Sequence, residues 1–247
     1  MMQETLIQSK ALSKSYDGKS LILENLDLRM EKGSFTVLMG RSGAGKSTLL
    51  NILAGLESFQ SGELLYGYRS MQSASEKAWA LFRRTKIGII FQDHNLIPYL
   101  SLMENCLLAG RLGSDKIDGV KNRAQSLFKE LGIDHLAGRL PSSVSGGERQ
   151  RAAIARALIN QPAILFADEP TGSLNEAAAK DVMEVFRRLH ERGQSILLAT
   201  HDLKAACFGT EVWFLRDGNT LSHWSAIGIE FAEKERRLYD WLQQQGW

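Results

Sequence analysis

The clearest chemistry in this chain lies in Gly40-Arg41-Ser42-Gly43-Ala44-Gly45-Lys46-Ser47, a G-x-x-x-x-G-K-[ST] pattern. Glycines let a backbone wrap closely around a phosphate, and successive N–H groups at a helix start then face the negative charge. Lys46 is placed to reach the β- and γ-phosphate oxygens, and the Ser47 hydroxyl to ligate Mg²⁺. An ordinary Gly/Ser-rich loop would not need the Lys-Ser ending, nor the apolar run before it and the helix pattern after it.

Two acids follow the apolar run Ala163–Ala167. A carboxylate at the C-terminal end of a buried parallel strand lies beside a phosphate loop in this kind of sheet. Asp168 would hold Mg²⁺, directly or through water, and Glu169 would polarise an attacking water as general base. A surface acidic pair would leave the charge-free run before it and Pro170 after it unexplained. Gln92 follows the run Ile87–Phe91 and His201 follows Ile196–Thr200, so both fall at strand ends on the edge that carries Lys46. There Gln92 can contact Mg²⁺ or water, and His201 can hydrogen-bond a terminal phosphate. Ser145-Gly146-Gly147 opens a further helix, with Ser145 as N-cap and its free N–H groups a second anion site. Two anion sites for one nucleotide make sense if they meet across a dimer. Tyr16, the one aromatic of the first turn region, can stack on a base or pack on a strand.

The elements that must position these groups follow from periodicity. Residues 5–40 read as short strands and turns, with Asp17-Gly18 and Glu31-Lys32-Gly33-Ser34 as turn signals. Phe35–Met39, Ile87–Phe91, Ala163–Ala167 and Ser195–Ala199 are continuous apolar runs, as expected of strands buried on both faces. Gly62 and Gly67 punctuate another strand-like piece. Helices are expected from Lys46 to about Ala54, through Asp93 to Asn160, and from Asn175 to Arg192. Buried strands alternating with helices imply an α/β core with a parallel sheet. Residues 1–92 and 160–225 would form that core, residues 93–159 an inserted helical part, and residues 226–247 a tail. A tail helix over Glu230–Gln245 would carry Phe231, Leu238, Trp241 and Leu242 on one face, to dock on the core or to bind a partner.

Composition narrows the partners. The chain has 247 residues, 44% of them hydrophobic, which is enough for one substantial core. A net charge of +2 with both signs interspersed argues against bulk-charge binding to nucleic acid. Cys106 and Cys207 are distant and sit in apolar settings, so two reduced thiols are expected rather than a disulfide. Met1–Thr5 carries no signal-peptide pattern, and no apolar run approaches the ~18 residues of a spanning helix. Work at a membrane would need another chain.

Together these motifs, in this order, resemble the ATP-binding cassette (ABC) ATPases over roughly Tyr16 to Gly218. The resemblance implies a P-loop NTPase (RecA-like) α/β core with an N-terminal antiparallel β subdomain and an inserted helical subdomain. It places Gly40, Ser42, Gly43, Ala44, Gly45, Lys46, Ser47 and Thr48 in Walker A, and Gln92 in the Q-loop. Ser145, Gly146, Gly147 and Glu148 fall in the signature, Ile164–Asp168 in Walker B, and Glu169 at the catalytic base. Ser173-Leu174-Asn175 matches the D-loop, His201 the switch histidine, and Tyr16 the adenine-stacking aromatic. The signature has Val144 and Glu148 where Leu and Gln are commoner, and Asn175 stands where Asp is usual, so Asn175 could alter communication between two sites. The cofactors implied are ATP and Mg²⁺.

The same resemblance implies a homodimer and a separate transmembrane permease docking near Gln92–Asn105, with Leu96, Ile97, Tyr99 and Leu102 as apolar contacts. The subunit would then lie peripherally on the cytoplasmic face of the inner membrane. Phe91–Asn105 is similar to the lipoprotein-releasing and macrolide-exporter branch, which implies export or extraction. The alternative is an ATPase of a signalling or cell-division complex that moves no substrate. DNA- or ribosome-acting relatives usually carry a long coiled-coil insertion or a second cassette. A GTPase would need an Asn-Lys-x-Asp motif, which does not occur here.

Overall fold

The computed structural model describes residues 4–113 and 117–247, so Met1–Gln3 of the N-terminal reading lie outside it. In chain order the elements are β1 (Thr5–Ser15), β2 (Leu21–Glu31), β3 (Phe35–Met39), α1 (Lys46–Leu53), β4 (Ser61–Tyr66), β5 (Arg69–Ser70) and α2 (Glu76–Lys86). Then come β6 (Ile87–Ile90), α3 (Leu102–Gly113), α4 (Ile117–Glu130), α5 (Gly146–Leu158), β7 (Ile164–Asp168) and α6 (Glu176–Glu191). The chain ends with β8 (Ser195–Ala199), α7 (Leu203–Ala206), β9 (Glu211–Arg216), β10 (Thr220–Ser225) and α8 (Phe231–Gln244).

The main sheet has the order β10-β9-β3-β8-β7-β6. It is parallel from β9 to β6, with β10 added antiparallel at one edge. Its strands read as unbroken apolar runs because successive side chains feed two different cores. Phe35, Val37, Leu165, Ile196 and Leu198 face a layer built on α3–α6 and α8. Leu38, Ile164, Phe166, Leu197 and Ala199 face α1 and the inner side of the second sheet. That second sheet is antiparallel, in the order β2-β1-β4-β5.

Four expectations need correction. The short strands expected early in the chain are two 11-residue strands, β1 and β2, paired with several register shifts. Bulges let long strands twist over α1, and they hide the simple alternation from the sequence. Helix α2 was not expected, because its face has no fully buried residue; Trp79 and Phe82 pack edge-on against Tyr66 instead. The helical stretch expected from Asp93 begins only at Leu102, since residues 92–101 form turns. Finally, Leu102 cannot serve a docking partner: it is 0% exposed at the first turn of α3, inside the core.

The tail docks as expected, through Leu238 and Leu242, both buried, with Trp241 edge-on to Phe214. Phe231 stays largely exposed but meets the Phe208 ring at 5.1 Å. Both cysteines are free and buried, and burial pushes the Cys106 thiol up to about 12 and the Cys207 thiol to about 11. They are packing groups rather than nucleophiles. Among the described residues no helix is long and apolar enough to cross a membrane.

Candidate active site at the carboxyl edge of the sheet

Parallel strands end on one edge, and register decides what meets there. Leu38 of β3 pairs with Ala199 of β8, Asp168 of β7 with the same Ala199, and Ile90 of β6 with Ala167. The residues that follow these strands are therefore neighbours: the Gly40–Lys46 loop, Gln92, Glu169 and His201.

Helix α1 starts unlike its neighbours. Ser75, Ser145, Asn175 and Asp202 each cap a helix with a side-chain acceptor. The N-cap of α1 is Gly45, at φ 97, with no side-chain bond and no acid in the first turn. Its free N–H groups are left for an external anion. Gly45 must be glycine twice over: its φ is left-handed, and a Cβ would sit 2.8 Å from Leu23 Cδ2. Lys46 Nζ donates to the carbonyls of Gly40 (2.8 Å) and Arg41 (3.1 Å), folded across its own loop. Burial lowers its pKa, opposed by the nearby charges of Glu169 and Asp168.

The Ser47 hydroxyl donates to Asp168 Oδ1 at 3.2 Å. Burial raises the Asp168 pKa, Ser47 pulls it back, and Glu169 and Lys46 act in opposite senses. A half-buried carboxylate and a hydroxyl sharing one hydrogen bond beside an ammonium form an oxygen donor set suited to Mg²⁺. Glu169 sits at φ 45, a conformation non-glycine residues seldom hold. Its backbone is fixed by N–H donation to Ala199 O at 2.9 Å. Its carboxylate is held by two groups just past the end of β8: Thr200 Oγ1 donates at 3.1 Å, and His201 Nδ1 lies 2.8 Å from the other oxygen. Gln92 comes close to Gly172, where an added Cβ would lie 3.2 Å from the amide nitrogen.

Tyr16 is 61% exposed and tethered beside α1, its hydroxyl donating to Glu57 (2.5 Å) and lying 3.3 Å from Thr48 Oγ1. That bond to Glu57 raises the Tyr16 pKa. Lys14 Nζ lies 4.8 Å from the ring centroid. Two cavities flank the edge. One of about 250 Å³ lies beside Arg41–Ala44, and one of about 630 Å³ runs from Glu169 and His201 past Met183 to Phe231.

Ser145, Gly146, Gly147 and Glu148 stand apart from these contacts, at the start of α5. Glu148 Oε2 accepts from the Ser145 N–H (2.7 Å) and hydroxyl (2.8 Å), while Ser145 Oγ accepts from Glu148 N–H at 3.3 Å. This is a capping box, which accounts for a Glu at this position and lowers its pKa. Asn175 caps α6, its Oδ1 accepting from Ala178 N–H at 2.9 Å. Asn and Asp are equivalent caps, so the substitution keeps this local geometry.

The family model described as "ABC transporter" matches residues 23–172. An uncharacterized ABC transporter ATP-binding protein, MJ1508 of Methanocaldococcus jannaschii, is 40% identical over 216 residues, covering 86% of this chain and 96% of that protein. The chain belongs to the ABC transporter ATP-binding family. It is an ATPase subunit using ATP and Mg²⁺. The bacitracin export ATP-binding protein BceA of Halalkalibacterium halodurans is 36% identical over 217 residues, 86% of each chain. The ATP-binding cassette MJ0796, solved as a dimer in a post-hydrolysis state with ADP and Pi, superposes with TM-score 0.82 at 33% identity, over 91% of this chain and 100% of that one.

Sequence reasoning did not single out Thr200 as a holder of Glu169, Glu57 as the tether of Tyr16, or Arg156 and Asn105, which organise the turns behind Gln92. Thr200 could have been found, as the polar residue ending an otherwise apolar run beside His201. Glu57 and Arg156 act on partners far away in sequence, and Asn105 acts on the irregular turn just before its own helix, which has no periodic signal.

Proposed function

We propose that two copies of this chain close head to tail around two ATP molecules, each nucleotide gripped by Gly40–Thr48 of one copy and Ser145–Glu148 of the other. Ser47, Gln92 and Asp168 would hold Mg²⁺, which supplies charge neutralisation between the terminal phosphates. Glu169 orients and deprotonates the attacking water, and His201 and Thr200 keep its carboxylate aimed. Tyr16 offers its exposed ring to adenine. The observation that carries this reading is the Ser47–Asp168 contact at 3.2 Å on the same strand edge as Glu169, itself pinned at 2.8 Å by His201. The dimeric state of the MJ0796 cassette supports pairing of two copies.

Closure would drive a separate membrane permease docked on residues 92–105, where Tyr99 (89% exposed) and Ile97 (40%) stand out of the turns. The subunit would thus be peripheral, on the cytoplasmic face of the inner membrane. Residues 1–92 and 160–225 would act as the nucleotide-binding body and residues 93–159 as the signature body, with 226–247 as a docked tail. The work done would be export, or extraction of a lipoprotein or lipid; the export name of BceA supports that direction.

The test pairs two variants. Glu169→Gln is expected to bind ATP, hydrolyse it about 10²–10⁴-fold more slowly, and elute as a dimer on a sizing column. Ser145→Arg in that background is expected to bind nucleotide and remain monomeric. Full turnover by Glu169→Gln removes Glu169 as the base, and an ATP-dependent dimer with Arg at 145 removes the shared site.

A further inference from the structure

The turns behind Gln92 are fastened to the signature helix by one side chain. Arg156 lies late in α5. Its Nη2 donates to the carbonyl of His94 at 2.7 Å, and its Nη1 to the carbonyl of Asn95. Those two residues are consecutive and both left-handed, at φ 62 and φ 49. In that geometry both carbonyls accept from one guanidinium, and each is a conformation an L-residue adopts at a cost. The His94 side chain is itself buried, 8% exposed. Asn105 of α3 latches the far end: its amide donates to the carbonyls of Ile97 (3.1 Å), Leu100 (3.1 Å) and Ser101 (3.0 Å), and accepts from Ile97 N–H at 2.7 Å.

We propose that Arg156 is a positioning residue that makes the segment behind Gln92 and the helix start at Ser145 one rigid unit. A displacement sensed at Gln92 then sets the aim of Ser145–Gly147 at the facing subunit's nucleotide. The Arg156 guanidinium never meets the nucleotide; it acts through His94 and Asn95. The planar fork offers each carbonyl its own nitrogen at a fixed spacing, whereas an ammonium must serve both from one nitrogen and holds them less firmly. This inference rests on the head-to-tail reading above.

The experiment uses Arg156→Met and Arg156→Lys in the full chain, each alone and with Glu169→Gln. Nucleotide affinity of the monomer is expected to stay within about twofold, because the phosphate loop is on another body. ATP-driven dimerisation of the Glu169→Gln chain, followed by light scattering, is expected to weaken about tenfold or more with Met and by a smaller factor with Lys, within the usual range of coupling between sites. In chains with native Glu169, kcat falls while KM for ATP is kept. Hydrogen exchange at residues 95–100 speeds up while α5 keeps its protection. Dimerisation within twofold of the parent for Arg156→Met overturns the proposal, as does loss of α5 protection, which would make the role merely structural. If Arg156→Met does not fold, Arg156→Lys decides by the same readouts. If the Glu169→Gln parent itself fails to dimerise, the head-to-tail reading falls, and the kcat split with local exchange still decides the latch.

Discussion

Asp168→Asn should make the nucleotide-free protein more stable while destroying its response to Mg²⁺. The Asp168 carboxylate is half-buried, and burial raises its pKa above the ordinary 3.8 despite the Ser47 hydrogen bond. The folded state thus binds its proton more tightly than the unfolded chain does. For a carboxylate shifted this way, stability falls as pH rises from 3.8 through the folded pKa and stays low above it. At neutral pH the full cost is present. Asn has the same shape, keeps an oxygen for the Ser47 hydroxyl and removes the repulsion with Glu169, at the expense of attraction to Lys46. A gain of about 1 kcal/mol is the expected order, which in a chain of this size raises Tm by about 2–4 °C.

Saturating ATP and Mg²⁺ should reverse the ranking. A ligand at 100 times its Kd stabilises by about 2.7 kcal/mol. Wild type should then gain about 5–10 °C, and the variant, lacking a charged oxygen for the cation, clearly less. The assay is differential scanning fluorimetry of both proteins without nucleotide, with ATP and Mg²⁺, and with ATP and EDTA, repeated down to pH 3.5. The difference between the nucleotide-free proteins should shrink below pH 3.8, where Asp168 is protonated in both states. A variant less stable than wild type at pH 7 refutes the burial argument, and equal Mg²⁺-dependent gains refute the metal role.

Two further outcomes are expected. Lys46→Ala removes the ammonium that now bridges the Gly40 and Arg41 carbonyls and should weaken ATP binding about 10–100-fold, the value of one or two charge-assisted hydrogen bonds, as read by calorimetric titration. Unchanged affinity would end its phosphate role. Leu242→Ala empties a site that is 0% exposed between α8 and the core and should cost about 2–5 kcal/mol in urea unfolding. A near-neutral result would mean that the tail is not part of the cooperative fold.

The candidate site at the sheet edge was legible because each of its residues follows a strand whose apolar run is visible locally. Once β3, β6, β7 and β8 are parallel, Lys46, Gln92, Glu169 and His201 must converge. Glu148 and Asn175, which looked like departures, became ordinary caps only when their N–H partners could be seen. Leu102 was misread as a surface contact because one apolar residue beside several exposed ones gives no sign of which way its helix faces. The long β1–β2 pair escaped because register shifts scramble the period-two signal.

The sequence by itself determined the family and the parallel sheet, and it singled out the positions proposed to handle phosphate, cation and attacking water, because those readings depend on residue type at short spacing. Only the tertiary structure decided how these groups are held: Thr200 and His201 on Glu169, Glu57 on Tyr16, and Arg156 on two left-handed turn residues. Such bonds join residues distant along the chain, and their geometry is set by how helices and sheets pack. No local pattern of residues encodes that packing.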